Sequence, residues 1–443
     1  MLDIITNPII VSVVVMVVLC MLKMNVYLSI IVAGLVCGFM GGLGFVETIK
    51  LFMSGMGGNI TSMFSRLLLG MLAAALTATG VGDVLAPRVS KIMNKSKWFL
   101  FVGFVLVAAC CETLITLGAV FTTIIIPPLL STLNKYRVDR RIICTMIMCG
   151  LEIGYVCIPI GYGAQFMEIV VGEMTNNGVD GLTINDIAAA NIPIILALLI
   201  GVALVAIAFR KPRDYTPVPG ITAPAEGETE MPESEMPKFE RKHICALIAA
   251  LSAVVFQLIT GSLQAGALIA VGILMAMRIF KWVEYDKLAN TGMINFAIVT
   301  FVLMAGCGFA TVSKTVGDVE GLVSSTVTLL GGSKILGAFV MLMLGLVITM
   351  GIGSSWGTVP IVAVVMVPMG LQMGFSIPAI IMMICVSAAL GDAGSPASDQ
   401  TLLPTAAFNI DGQHDHIWDT CVPSFICVNG PLLIVGTIAA CLM

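Results

Sequence analysis

Two stretches decide how this chain folds: residues 350–368, MGIGSSWGTVPIVAVVMVP, and residues 389–405, ALGDAGSPASDQTLLPT. Each sets small and polar residues, with glycine and proline among them, inside apolar sequence. In the first, Ser354, Ser355, Trp356, Gly357 and Thr358 form a tip between apolar arms closed by proline. In the second, Asp392, Gly394, Ser395, Pro396, Ser398, Asp399 and Thr401 interrupt a helix. A helix broken deep in a bilayer frees backbone amides and carbonyls that lipid cannot satisfy, so such breaks survive only where they line a cavity inside protein. The expected fold is an all-α polytopic membrane protein.

The surrounding composition agrees. Of 443 residues, 58% are hydrophobic and 11% charged, against roughly 25% charged in a soluble domain. Apolar runs near the roughly 20 residues that span a bilayer recur at Pro8–Cys20, Leu67–Ala86, Ile187–Phe209, Ile244–Ile259, Phe296–Ala310 and Phe425–Cys441. The first run reads as a retained helix, because Lys23 follows it and no small-residue cleavage site appears. Net charge is −4 and the basic residues sit in short clusters, which argues against nucleic acid as a partner. The thirteen cysteines are scattered through apolar segments and read as small buried hydrophobes. There is no GxxxxGKS phosphate loop, which argues against direct ATP coupling.

The first half of the chain carries a matching pair of interruptions. Residues 110–128, CCETLITLGAVFTTIIIPP, place Glu112, Thr113, Thr116 and Gly118 at a hairpin tip. Residues 149–166, CGLEIGYVCIPIGYGAQF, break a helix with Glu152, Pro159, Gly161, Tyr162, Gly163 and Gln165. Gly118 to Pro159 and Gly357 to Pro396 are 41 and 39 positions apart, an internal symmetry. Between the halves, residues 210–242 form a Pro-, Glu- and Gly-rich linker that cannot bury enough apolar surface to fold alone.

Lys and Arg cluster at 88–97, 135–141, both ends of the linker and 278–287, and the positive-inside rule puts all of these in the cytoplasm. The stretch between the first two clusters is too short for two full spans of about 20 residues each, so residues 98–133 read as a re-entrant hairpin, followed by a broken helix over 141–175. Counting back from Arg88 gives three spans and an external N-terminus. The second half reads the same way upside down: three helices, an amphipathic segment, a hairpin over 335–371, a broken helix over 377–408 and a last helix. The first repeat would then cover 1–209 and the second 243–443. The expected architecture is an inverted-repeat carrier with about ten transmembrane helices, two re-entrant hairpins and a site near the midplane.

Acidic residues in such a setting cost about 2.5 to 3.5 kcal/mol on insertion scales, which makes Glu112, Glu152, Asp392 and Asp399 functional candidates. Each could carry a proton, coordinate Na⁺ or hold an ammonium group. Hydroxyls, carbonyls and helix N-termini suit Na⁺ and a carboxylate. Gln257 and Asn295 read as interhelical hydrogen-bonding residues. His414 and His416, in a cytoplasmic loop, read as solvated or helix-starting residues.

The motifs GIGSSWGTVPI, GDAGSPASDQT and DGQHDHIWDTCVPSF resemble the NhaC-like branch of the ion transporter superfamily, a group labelled Na⁺/H⁺ antiporter family that includes amino-acid transporters. The resemblance covers nearly the whole chain and is most specific over Gly351–Pro368 and Gly391–Phe425. It implies an elevator-type carrier, a homodimer in the bacterial cytoplasmic membrane. The transport domain would include residues 98–175 and 335–410, with the rest as scaffold. No enzymatic activity or resident cofactor is expected, beyond Na⁺ as a coupling ion. The expected function is Na⁺- or H⁺-coupled transport of a small organic solute, an amino acid first, with exchange of Na⁺ for H⁺ alone as the alternative. A channel and a membrane enzyme stand behind both.

Overall fold

The computed structural model describes residues 6–22, 24–57, 60–81, 97–115, 136–216, 238–396 and 398–443, with isolated positions 84, 126, 130, 133, 134 and 218. Among them all regular structure is helical. The first half contains α1 (Pro8–Met21), α2 (Val26–Met40), α3 (Phe45–Gly55), α4 (Ile60–Ala78), α5 (Lys97–Ile115), α6 (Arg140–Glu152), α7 (Tyr162–Asn176), α8 (Ile184–Ala190) and α9 (Ile192–Ala208). A π-helical turn, Ile153–Cys157, extends α6. The second half contains α10 (Arg241–Thr260), α11 (Leu263–Ala276), α12 (Trp282–Val316), α13 (Val319–Leu329), α14 (Lys334–Ile352), α15 (Ser355–Gln372), α16 (Ile377–Asp392), α17 (Asp399–Phe408) and α18 (His416–Leu442), which mixes α and π turns. Polar residues placed between apolar runs start these helices: the side chains of Asn7, Asn25, Ser376 and Ser398 each accept a backbone N–H at a helix start.

In lipid the water-driven hydrophobic force between helices is absent, so close approach of small residues sets the crossings. α4 and α12 pack together, and a Cβ on Gly292 would lie 2.4 Å from the Gly70 carbonyl oxygen. α5 and α6 cross at Gly150, where a Cβ would lie 2.4 Å from Val105 O. Apolar side chains also face outward, including Leu196, Leu199, Leu251, Leu258, Ile434 and Ile438, as a lipid-facing surface requires.

Among the described residues, four helices have the length and apolarity of a membrane span, α10, α14, α15 and α18; three bent pairs raise the number to seven, and the other apolar helices run 10–17 residues. This is short of the expected ten. The reason is length: α1, with 14 residues, rises about 21 Å against a hydrocarbon core of about 30 Å. Both arms of the second hairpin have the length of a span, although the sequence suggested a re-entrant element. α12 runs well beyond the apolar stretch Phe296–Ala310, because Glu284 accepts from the Lys281 N–H at 2.6 Å and starts the helix there while Tyr285 and Leu288 pack on the core of α4, α10 and α11. The basic cluster at 88–96 and most of the linker lie outside the described residues.

At one end of the molecule the basic cluster near 137–141, the start of the linker and the DGQHDH loop interlock. Arg140, fully buried, donates through Nη1 and Nη2 to both oxygens of Asp411, at 2.7 and 2.6 Å. Its backbone N–H donates to the Tyr215 hydroxyl, and its guanidinium lies over the Tyr215 ring. Burial pushes the Asp411 carboxyl up, but the Arg140 guanidinium outweighs it and leaves the group below the usual carboxylate range. His414 is buried rather than solvated, and burial pushes it down to about 4. His416 begins α18, as expected.

Candidate functional site

The first broken helix is interrupted where the sequence indicated. After the π turn the chain is extended at Ile158, Gly161 adopts a left-handed φ of +56°, and α7 restarts at Tyr162 with a bend of 54°. Glycine is required twice. A Cβ at Gly163 would lie 2.0 Å from Ile158 O, and one at Gly154 would lie 2.7 Å from Ala109 O. Gln257 on α10 accepts from the Gly161 N–H at 2.9 Å, so it bridges helices as expected and satisfies an amide that the break frees. Thr113 donates across to Gly154 O at 3.1 Å, which ties α5 to the π turn.

The second half repeats the device. α14 ends in left-handed Gly353, Ser354 is extended, and α15 starts at Ser355 without a side-chain cap. α16 ends at Asp392, and α17 starts at Asp399 behind Ser398. Both starts leave helix amides with partial positive charge next to the interruption.

Asp392 is the meeting point, buried at the end of α16. Ser355 Oγ, from the hairpin tip, lies 2.6 Å from Asp392 Oδ2. The Tyr155 hydroxyl, from the π turn of the first half, lies 2.7 Å from Ser355 Oγ and 3.4 Å from Asp392 Oδ2. Ser398, across the break, donates to Asp392 Oδ1. One proton assignment serves all three hydroxyls: Tyr155 donates to Ser355, and Ser355 and Ser398 donate to Asp392. That arrangement suits an acceptor-only carboxylate. Above it, the Trp356 ring packs against Tyr162, Phe166 and Tyr155 with centroids 4.5, 5.4 and 6.0 Å apart. The hairpin tip of one half thus lies on the break of the other.

Glu112 and Glu152 are buried, and Glu152 lies within electrostatic range of both Asp392 and Glu112. They do not converge as metal ligands: among the described residues no group of three His, Cys, Asp or Glu side chains has that geometry.

Several expected contacts are absent from this cluster. Thr358 donates to Ser354 O, Ser395 to Met350 O, and Thr401 to Ser395 O and Ser398 O, so these hydroxyls hold the broken backbone together. Pro396 is exposed, and its carbonyl accepts from His416 Nε2. Gln165 is fully buried on α7. Gly357 packs tightly on α12, where a Cβ would lie 2.6 Å from a Val302 methyl. Gly394 faces Asn429, whose Nδ2 would lie 2.8 Å from a Cβ there. Thr116 and Gly118 lie outside the described residues, as do the side chains of Asp399 and Asn295.

Sequence reasoning missed Tyr155, Asn191 and Asn429. Asn191 donates to Val156 O at 2.7 Å and so stabilises the π turn. Asn429 is buried, and neither of its amide atoms has a hydrogen-bond partner among the described residues. A lone amide inside the apolar run 425–441 was the available signal.

Two family models match the chain, both described as the Na⁺/H⁺ antiporter family, over residues 146–439 and 7–93. An "Uncharacterized membrane protein" of Haemophilus influenzae is 38% identical, over 98% of this chain and 99% of its own. "Putative amino acid transporter YuiF" of Bacillus subtilis is 37% identical, with the same coverage of each chain. Two solved structures share the fold at low identity. The YdaH transporter of Alcanivorax borkumensis matches at 13% identity and TM-score 0.61, over 89% of this chain and 88% of its own. MtrF of Neisseria gonorrhoeae matches at 14% and 0.56, over 90% and 83%. With a family model spanning most of the chain and full-length relatives above a third identity, this multi-pass membrane protein belongs to the Na⁺/H⁺ antiporter family.

Proposed function

We propose that the protein is a secondary transporter that moves a small organic solute, an amino acid first, coupled to Na⁺ or H⁺. The observation that carries this reading is the convergence on Asp392 of groups from both halves of the chain: Ser355 from one hairpin tip, Ser398 across one break and Tyr155 from the other break. An amino acid needs donors for its carboxylate and an acidic group for its ammonium. The uncapped starts of α7 and α15 supply the first, and Glu112, Glu152 or Asp392 supplies the second. The name of the Bacillus subtilis relative supports the same class. Asp392 or Asp399 is the ion or proton site, with Ser395 and Thr401 as further candidates.

In this reading the two halves are inverted repeats, and the paired interruptions move together as a transport domain over about 98–175 and 335–410, against a scaffold built on α4, α10, α11 and α12. The working unit is a homodimer in the cytoplasmic membrane with the linker inside and the N-terminus outside. The alternative, exchange of Na⁺ for H⁺ alone, is favoured by the family description and needs only the carboxylates and carbonyls. Counterflow into proteoliposomes separates the two. Labelled amino acids are screened with and without Na⁺ and a pH gradient. Exchange of one amino acid supports the solute carrier, and proton movement driven by Na⁺ with no amino-acid exchange establishes the alternative.

A further inference from the structure

Asp392 and Glu152 are both buried carboxyl groups, but their surroundings differ. Asp392 has hydroxyls from three residues around it. Glu152 has zero exposure, and neither of its oxygens makes a hydrogen bond with a described residue. The titratable groups around it are Asp392 from α16, Glu112 from α5, and Tyr155, Cys149 and Cys157 on its own helix. All of these are acidic or neutral, and no Lys, Arg or His is among them. Counted from Arg140 along α6, Glu152 sits about 18 Å into the structure, near the middle of a core about 30 Å thick.

A carboxylate left in that setting would carry the full cost of a buried, unpaired charge, which proteins avoid by neutralising the group. Among the described residues no basic side chain pairs with it and no group of three His, Cys, Asp or Glu side chains could hold a metal ion there, so what remains is a proton. We propose that Glu152 is the proton-carrying group of the transport cycle, a site distinct from the hydroxyl-bonded Asp392. This rests on the transporter reading and makes H⁺ the coupling ion. The step balances simply. When the site opens to water on one side, hydronium gives a proton to the Glu152 carboxylate, forming the O–H bond and leaving water. The neutral acid then crosses with the moving helices, and on the other side the O–H bond breaks and the proton returns to water.

Glu152→Gln mimics the neutral acid in size and polarity, so it tests the proposal without opening a cavity. Two readouts are combined on protein purified into lipid. In infrared spectra at neutral pH, the carbonyl stretch of a protonated carboxylic acid is expected in the unmodified protein and in Asp392→Asn, and lost in Glu152→Gln. In proteoliposomes supplied with a mixture of labelled amino acids, Glu152→Gln is expected to lose accumulation driven by a pH gradient. Glu152→Asp, which keeps an acid, is expected to retain driven accumulation with a displaced pH profile. The proposal is overturned by an infrared band that persists in Glu152→Gln, by unchanged proton-driven accumulation, or by accumulation that responds to Na⁺ alone. Absence of amino-acid counterflow in the unmodified protein, with the band still assigned to Glu152, removes the amino-acid reading and leaves this one standing.

Discussion

Ser355 and Asp392 are 37 positions apart, yet their side chains meet at 2.6 Å, the serine at the start of α15 and the aspartate at the end of α16. A contact between a hairpin tip and a helix break leaves the carboxylate with acceptor capacity and little solvent. Replacing Asp392 by Asn keeps the volume and removes the charge. Transport by Asp392→Asn is expected to vanish while the protein elutes and unfolds as before. Retained activity in proteoliposomes would remove Asp392 from the site.

Ser355→Ala withdraws one donor to a charged group. Such a bond to the carboxylate is worth about 1.5–3 kcal/mol, so a proton should bind Asp392 roughly 10- to 150-fold more tightly in the variant, with the pH dependence of uptake displaced accordingly. Uptake measured across pH tests this. An undisplaced pH dependence would show that Ser355 holds the tip in place and nothing more.

How much of this was legible in the sequence depends on the type of signal. The breaks at Pro159–Gly161 and Gly394–Ser398 were legible because proline, glycine and acids are costly in membrane helices. The tip at Gly353–Ser354 was legible for the same reason. Which hydroxyl would reach Asp392 was not, because that depends on how two helices remote in sequence cross. Ser355 and Thr358 look equivalent on paper, but along α15 they sit about 60° apart around the axis and about 4.5 Å apart along it, and Thr358 donates to its own helix. Tyr155 was hidden by its neighbours: an aromatic residue in an apolar run reads as packing, and only the π turn rotates it toward the second half.

Gly163→Ala should be among the most damaging small substitutions, since its Cβ would fall 2.0 Å from the Ile158 carbonyl oxygen. Overpacking against backbone costs about 1–3 kcal/mol and occasionally more. A Gly430→Ala control, where a Cβ meets nothing within 4 Å, should be neutral. Thermal unfolding in detergent compares the two. Equal melting temperatures would mean that the turn at Ile158–Gly161 relaxes freely.

His414 gives the fold a pH dependence of defined sign. Burial holds it at about 4 in the folded protein, against about 6.5 for an unfolded chain, so the folded state keeps it neutral. Its contribution is fully present above pH about 6.5 and is lost as the pH falls from there toward 4, for a total of roughly 3 kcal/mol. In His414→Gln that part of the acid destabilisation should disappear from the pH profile of unfolding. An unchanged profile would place the titration elsewhere.

Asn429 separates stability from function most directly. Its amide is buried against the break at Gly394, with neither atom hydrogen-bonded among the described residues. A buried polar group without a partner opposes folding by about 1–3 kcal/mol, and an apolar group of similar shape in its place is neutral or stabilising. Asn429→Leu should therefore unfold at the same temperature or higher. If the amide is kept because it faces the passenger at the break, offering one donor and one acceptor, the same variant should lose transport by tenfold or more, since one such contact is worth about 1.4 kcal/mol or above. A stable and fully active Asn429→Leu would show that the amide contacts no transported species. A destabilised one would show that it has a structural partner when the protein is folded in lipid.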